Sequence, residues 1–109
     1  METKDDLEIS TTEVATLLKD GSVTLVDVRT PGEYEIARIE GCRLVDDALA
    51  KEIVETWPKD TPIITVCHHG VRSLGAAEYL RQQGFTKAKS MRGGIDVWSM
   101  TVDPSVPRY

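Results

Sequence analysis

The chain has 109 residues, 40% of them hydrophobic and 28% charged, which bounds it to one globular domain with a single core. A formal net charge of −5 leaves no basic footprint for nucleic acid or an anionic membrane, and no apolar run approaches membrane-spanning length. The polar start Met1-Glu-Thr-Lys-Asp-Asp6 is unlike a secretory signal, and two cysteines 25 positions apart form neither a disulfide framework nor a CxxC metal pair, so a reducing cytoplasm is expected.

Residues 1–8 are polar and expected to be flexible. Ser10 with Glu13 makes a capping box for a short helix whose apolar face is Val14, Leu17 and Leu18, and Gly21 suits the position beyond its end. Val23–Val28 is β-rich and predicts a central strand that finishes in Asp27-Val28-Arg29. Thr30-Pro31-Gly32-Glu33 is a second capping box with Pro at the first helical position, and Tyr34, Ile36 and Ile39 are expected to line the helix that follows. Arg43-Leu44-Val45 suggests a brief strand. Asp46 or Asp47 can cap the next helix, with Leu49, Ile53 and Val54 inward and Trp57 at its end. Pro58–Pro62 turns into a β-branched run, Ile63–Val66, which predicts a strand covered on both faces.

Cys67 stands where that strand ends, and helical spacing resumes after Arg72 through Ser73, Ala76, Ala77 and Leu80, stopping at Gly84. Ala88–Met91 suggests another short strand before Arg92-Gly93-Gly94, and Ile95, Val97 and Trp98 start a last helix or turn over the core. The tail, 103–109, carries Pro104 and Pro107 and is expected to be irregular, leaving a single domain over 9–102. Strand and helix signals alternate, which implies an α/β fold with a mostly parallel sheet.

The chemistry concentrates at the loop after the third of these β-rich runs, Ile63–Val66. The carboxyl edge of a parallel sheet is where ligands bind, and a loop bending into a helix turns unpartnered N–H groups and the helix dipole toward an anion. A Cys at that mouth is expected to be a thiolate near neutral pH, with Arg72 adding fixed positive charge and Gly70 permitting the turn. The competing reading is a strand-end Cys buried as a small hydrophobe. His68 and His69 could be ligands, bases or plain loop residues. Adjacent side chains diverge and no zinc spacing accompanies them, so no metal is expected, and their backbone N–H groups serve the cradle better. Asp27 and Arg29, at a neighbouring strand end, could brace the loop or pair with each other. Trp57 and Trp98 suit the core or its edges. Cys42, in a segment with no anion site, suits packing better than catalysis.

Taken in order, Glu13-Val14, Asp27-Val28-Arg29, Glu33-Tyr34, Pro62-Ile63-Ile64, Cys67-His-His-Gly-Val-Arg-Ser73, Ala76-Ala77, Gly84-Phe85 and Gly93-Gly94-Ile95 with Trp98 resemble the rhodanese family over nearly the whole chain. The resemblance implies a three-layer fold, a small central sheet flanked by helices on both faces, and a single-domain sulfurtransferase needing no cofactor. It makes Cys67 the persulfide carrier and His68, His69, Gly70, Val71, Arg72 and Ser73 the substrate-binding loop. The implied partners are a small anionic donor such as thiosulfate and a cyanide, thiol or protein acceptor, met by a monomer. One departure stands out: the family often has Gly-His-Ile-x-Gly-Ala where this chain has Ala37-Arg38-Ile39-Glu40-Gly41-Cys42. Two other functions share such a scaffold. Phosphatase or arsenate-reductase loops carry one more residue between Cys and Arg than the four found here, and a smaller ring suits sulfur. A non-enzymatic persulfide carrier or partner-binding module is the remaining alternative.

Overall fold

The four strand residues Ile63–Val66 (β4) are all buried, and their side chains divide by parity between two cores. Ile64 and Val66 join Leu25, Val14, Ile95 and Trp98 on one face, whereas Ile63 joins Val26, Leu49, Ile53, Leu80 and Phe85 on the other. That two-sided burial is what a continuous apolar run requires of a strand in the middle of a parallel sheet.

The computed structural model describes residues 4–109. Along the chain run α1 (Lys4–Leu7), β1 (Glu8–Ile9), α2 (Thr11–Lys19), β2 (Thr24–Asp27), α3 (Pro31–Ile36), β3 (Arg43–Leu44) and α4 (Asp47–Thr56). After these come β4, α5 (Val71–Gln82), β5 (Lys89–Met91) and α6 (Gly94–Thr101). The sheet order is β1-β5-β4-β2-β3, and every pairing is parallel. Val14 of α2 and Ile95 and Trp98 of α6 fill one face of the sheet, while Leu49 and Ile53 of α4 and Leu80 of α5 fill the other. The result is the three-layer α/β arrangement expected.

The caps follow the sequence. Ser10 accepts from Glu13 N at 3.2 Å, Asp46 accepts from Leu49 N at 2.7 Å, and Thr30 and Glu33 close a reciprocal capping box at 3.2 Å in both directions. Two expectations need correction. The segment 1–8 is not unstructured across residues 4–8: Leu7 is buried, and Glu8 and Ile9 pair with Ser90 and Met91. Residues 1–3 of that expectation lie outside the described residues. The second correction concerns α3, which stops at Ile36, with Ile36 itself 55% exposed and Ile39 buried beyond the helix. There the chain swings to an extended conformation at Ala37, whose carbonyl accepts from Arg29 Nη2 at 2.6 Å. A buried cation, rather than helical periodicity, sets that boundary.

Candidate active site

Cys67 follows β4 directly and is 1% exposed. Its Sγ accepts from the backbone N–H of Gly70 at 3.1 Å and of Ser73 at 3.3 Å, so the sulfur sits against the opening turn of α5. This is the expected geometry: a strand-end cysteine facing helix-terminal donors that have no partner inside the helix. Gly70 makes the turn possible with φ at +91°, and a Cβ there would meet the backbone N of Gly93 at 3.0 Å.

The loop is held from behind by α6. Ile95 N donates to Cys67 O at 2.9 Å and Asp96 N to His68 O at 3.1 Å. Because peptide units are planar and trans, fixing those two carbonyls toward α6 turns the N–H groups of His68 and His69 to the opposite side of the chain. Their proposed contribution to an anion cradle therefore rests on how α6 is placed. Contact this close demands Gly94, where a Cβ would come within 2.4 Å of both Cys67 O and His68 O.

Below the sulfur lies a buried hydroxyl pair. Ser73 Oγ is 3.3 Å from Cys67 Sγ and 2.7 Å from Ser90 Oγ, and both serines are fully buried. Thr65 Oγ1, also buried, donates to Ser73 O at 2.7 Å and fixes the start of α5 to β4. Ser90 escaped the sequence reading because it comes from β5; its only clue was a polar residue inside a predicted strand.

At the rim, Arg72 grips Glu33 with two hydrogen bonds, Nη1 to Oε1 at 2.6 Å and Nη2 to Oε2 at 2.9 Å. Those bonds raise the Arg72 pKa and hold the Glu33 carboxyl well below the usual carboxylate range, aided by Tyr109 and Thr30 and opposed by burial. Arg72 is thus oriented by a carboxylate, a partner the sequence had assigned only to helix capping. Val71 is 78% exposed at the outer edge, and the His69 side chain is 62% exposed, with Nδ1 3.9 Å from Asp96. His68 is half-buried, and its Nε2 has no hydrogen-bond partner among the described residues.

Asp27 and Arg29 form a pair of their own. Arg29 Nη2 reaches Asp27 Oδ2 at 2.6 Å and Nε bridges both carboxylate oxygens, with both side chains fully buried. Burial opposes the Arg29 charge, yet the bonds to Asp27 and Tyr109 outweigh it and raise its pKa further. Of the two roles weighed, mutual pairing is realised, and Arg29 braces Ala37 rather than the Cys67 loop. It meets the site indirectly, donating through Nη1 to Tyr109 Oη at 2.9 Å.

Cys42 is buried, and burial pushes its thiol far above the ordinary value. It lies in the segment that departs from the family pattern, where Arg38 stacks over the Tyr34 ring at 5.1 Å and Tyr34 Oη donates to Cys42 O at 2.7 Å. Those contacts are packing. Among the described residues, no group of three or more His, Cys, Asp or Glu is placed to hold a metal, and no helix is long and apolar enough to cross a membrane.

Comparison with known proteins adds an independent finding. Residues 10–101 match the model of the rhodanese-like domain. The thiosulfate sulfurtransferase GlpE of Pseudoalteromonas translucida is 36% identical over 100 residues, 92% of this chain and 95% of that protein. GlpE of Pseudomonas paraeruginosa is 35% identical over 86 residues, covering 79% of this chain and 78% of its own. The crystal structure of a rhodanese-like domain protein from Staphylococcus aureus superposes with a TM-score of 0.74 at 28% identity, covering 94% of this chain and 97% of that one.

Proposed function

The chain belongs to the rhodanese family, and from that premise we propose that it is a thiosulfate-type sulfurtransferase working through a persulfide on Cys67. The observation that carries this reading is the sulfur of Cys67 at the end of β4, met by the N–H groups of Gly70 and Ser73. A thiolate is the nucleophile in such chemistry, and these donors favour the anion in place.

In the first half-reaction the Cys67 thiolate attacks the outer sulfur of thiosulfate. The new bond joins Sγ to that sulfur, the S–S bond of the donor breaks, and its electron pair leaves with sulfite. In the second, cyanide or a thiolate attacks the terminal sulfur, the Cys67 S–S bond breaks, and the thiolate returns. No general base is needed once the nucleophile is ionised. A thiolate has no proton to give, so the Ser73 hydroxyl turns its hydrogen to Sγ and accepts in turn from Ser90. The amides of His68 and His69 face the donor's oxygens, while Arg72 and Val71 form the rim. Asp27 and Arg29 support the scaffold behind α3. The acceptor is a small nucleophile or a thiol on a partner protein, and the domain acts as a monomer in the cytoplasm.

The test is intact-protein mass spectrometry before and after thiosulfate, with thiocyanate measured when cyanide is added. Wild type should gain one sulfur atom, mapped to Cys67, and release it as thiocyanate; Cys67→Ser should do neither. Hydrolysis of an aryl phosphate with no sulfur gained would replace this reading by a phosphatase.

A further inference from the structure

Three rings stand in a row at the mouth of the loop. Tyr109 stacks on His68 with centroids 3.9 Å apart at 10°, and His68 stacks on His69 at 3.8 Å. The Tyr109 hydroxyl donates to Glu33 Oε2 at 2.7 Å and accepts from Arg29 Nη1 at 2.9 Å. Glu33 is the same carboxylate that grips Arg72. One side chain from the irregular tail is therefore tied to both ends of the loop, to His68 directly and to Arg72 through Glu33. Within that loop the Cys67 sulfur is held by the N–H groups of Gly70 and Ser73, and Cys67 is 1% exposed.

From this geometry we infer that Tyr109 is a specificity-determining residue, a roof over the loop that limits the size of the sulfur donor and acceptor reaching Cys67. The ring rests on one wall and the hydroxyl is bonded into the other, so a bulky molecule can enter only by breaking both attachments. A donor of thiosulfate size needs less clearance. The tail is anchored nearby by Val106, which is buried against the core of Ala37, Ile39 and Trp98. Tyr109 is thus presented on a fixed support rather than on a free strand of chain. What the roof means for donors rests on the sulfur-transfer reading, whereas the roof itself is a steric property of the fold.

The experiment uses the whole chain with Cys42→Ser, so that Cys67 is the sole thiol, and compares Tyr109→Phe and Tyr109→Ala with it. Two maleimides sharing one reactive group, N-methyl and N-pyrenyl, report the width of the mouth without any sulfur transfer. Removing the ring should raise the ratio of pyrenyl to methyl labelling rates by about tenfold or more, the scale on which steric exclusion discriminates between ligands. Tyr109→Phe keeps the stack and loses the hydroxyl bonds, so its ratio should fall between the two. In parallel, kcat/KM for glutathione persulfide relative to thiosulfate should rise in the same order. A wild type that takes sulfur from neither donor refutes the sulfurtransferase reading and leaves the maleimide ratio to judge the roof. A maleimide ratio unchanged in a folded Tyr109→Ala protein refutes the roof, whatever the sulfur kinetics.

Discussion

Glu33 serves five bonds at once, which makes Glu33→Gln the most informative single change. The carboxylate takes two hydrogen bonds from Arg72, one from the Tyr109 hydroxyl and two from Thr30, through N and Oγ1. An amide of the same shape keeps the volume but loses the charge and one acceptor. Because the Arg72 side chain is 45% exposed, the ion pair must be discounted for solvent to about 0.5–1 kcal/mol. Weakening the cap and the Tyr109 bond adds about 0.5–1 kcal/mol, giving ~1–2 kcal/mol in all. For a domain of this size that corresponds to a fall in Tm of roughly 5–12 °C.

The pH dependence is a sharper check than the magnitude. Arg72's hydrogen bonds hold the folded-state pKa of Glu33 below its ordinary value. Between the two values the unfolded chain binds more protons, so stability rises with pH across that interval. The contribution is complete above the ordinary carboxylate pKa of about 4.3 and fades as pH falls toward the folded value. Thermal or urea denaturation of both proteins should therefore show a gap at pH 7 that narrows steadily below pH ~4, where protonated Glu33 comes to resemble Gln. Equal stability at pH 7, or a gap that persists undiminished into acid, would refute the assignment of Glu33 as the carboxylate that fixes the rim.

Three further outcomes follow from the same geometry. Arg72→Ala removes a positive charge from the rim and should raise KM for thiosulfate by about three- to tenfold, roughly 1 kcal/mol, with kcat little changed; steady-state kinetics at varied thiosulfate checks it, and an unchanged KM counts against any role in donor binding. Asp27→Asn leaves the fully buried Arg29 charge uncompensated and should cost ~3–5 kcal/mol, read by urea denaturation. Gly94→Ala drives a Cβ into the carbonyls of Cys67 and His68 and should abolish most persulfide formation while lowering Tm, whereas Gly75→Ala, which meets nothing within 4 Å, should leave both intact.

The parts of this fold that were legible in the sequence are those whose causes lie within a few residues. Ser10, Thr30 and Asp46 cap helices through donors three positions on, and the burial of β4 follows from four consecutive β-branched residues. Cys67 and Gly70 could be placed because a strand, a turn and a helix start are all local. What stayed hidden depends on long-range register. Glu33 meets Arg72 39 positions away, Ser90 reaches Ser73 across 17, and Tyr109 returns to Glu33 across 76. No local period encodes such contacts. The strand Glu8–Ile9 is a similar case, two residues in a polar stretch made into a strand only because β5 offers them a partner. Tyr109 did leave one trace: an aromatic in a tail that carries two prolines.

Both strand-to-helix turns of the site are built by the same device, and the two turns are built against each other. Gly70 follows β4, and Gly93 and Gly94 follow β5, all at positive φ. A side chain at Gly70 would strike Gly93 N, and one at Gly94 would strike Cys67 O and His68 O, so backbone meets backbone with no side chain between. That contact lets α6 donate to the loop's carbonyls while α5 donates to its sulfur. With the carbonyls of Cys67 and His68 turned toward α6, the amides of His68 and His69 are left to the opposite side of the chain, where the proposed reading uses them as donors to an anion. On the proposed sulfur-transfer reading, selectivity for an anionic donor begins with how three glycines allow two turns to touch, before any side chain of the rim contributes.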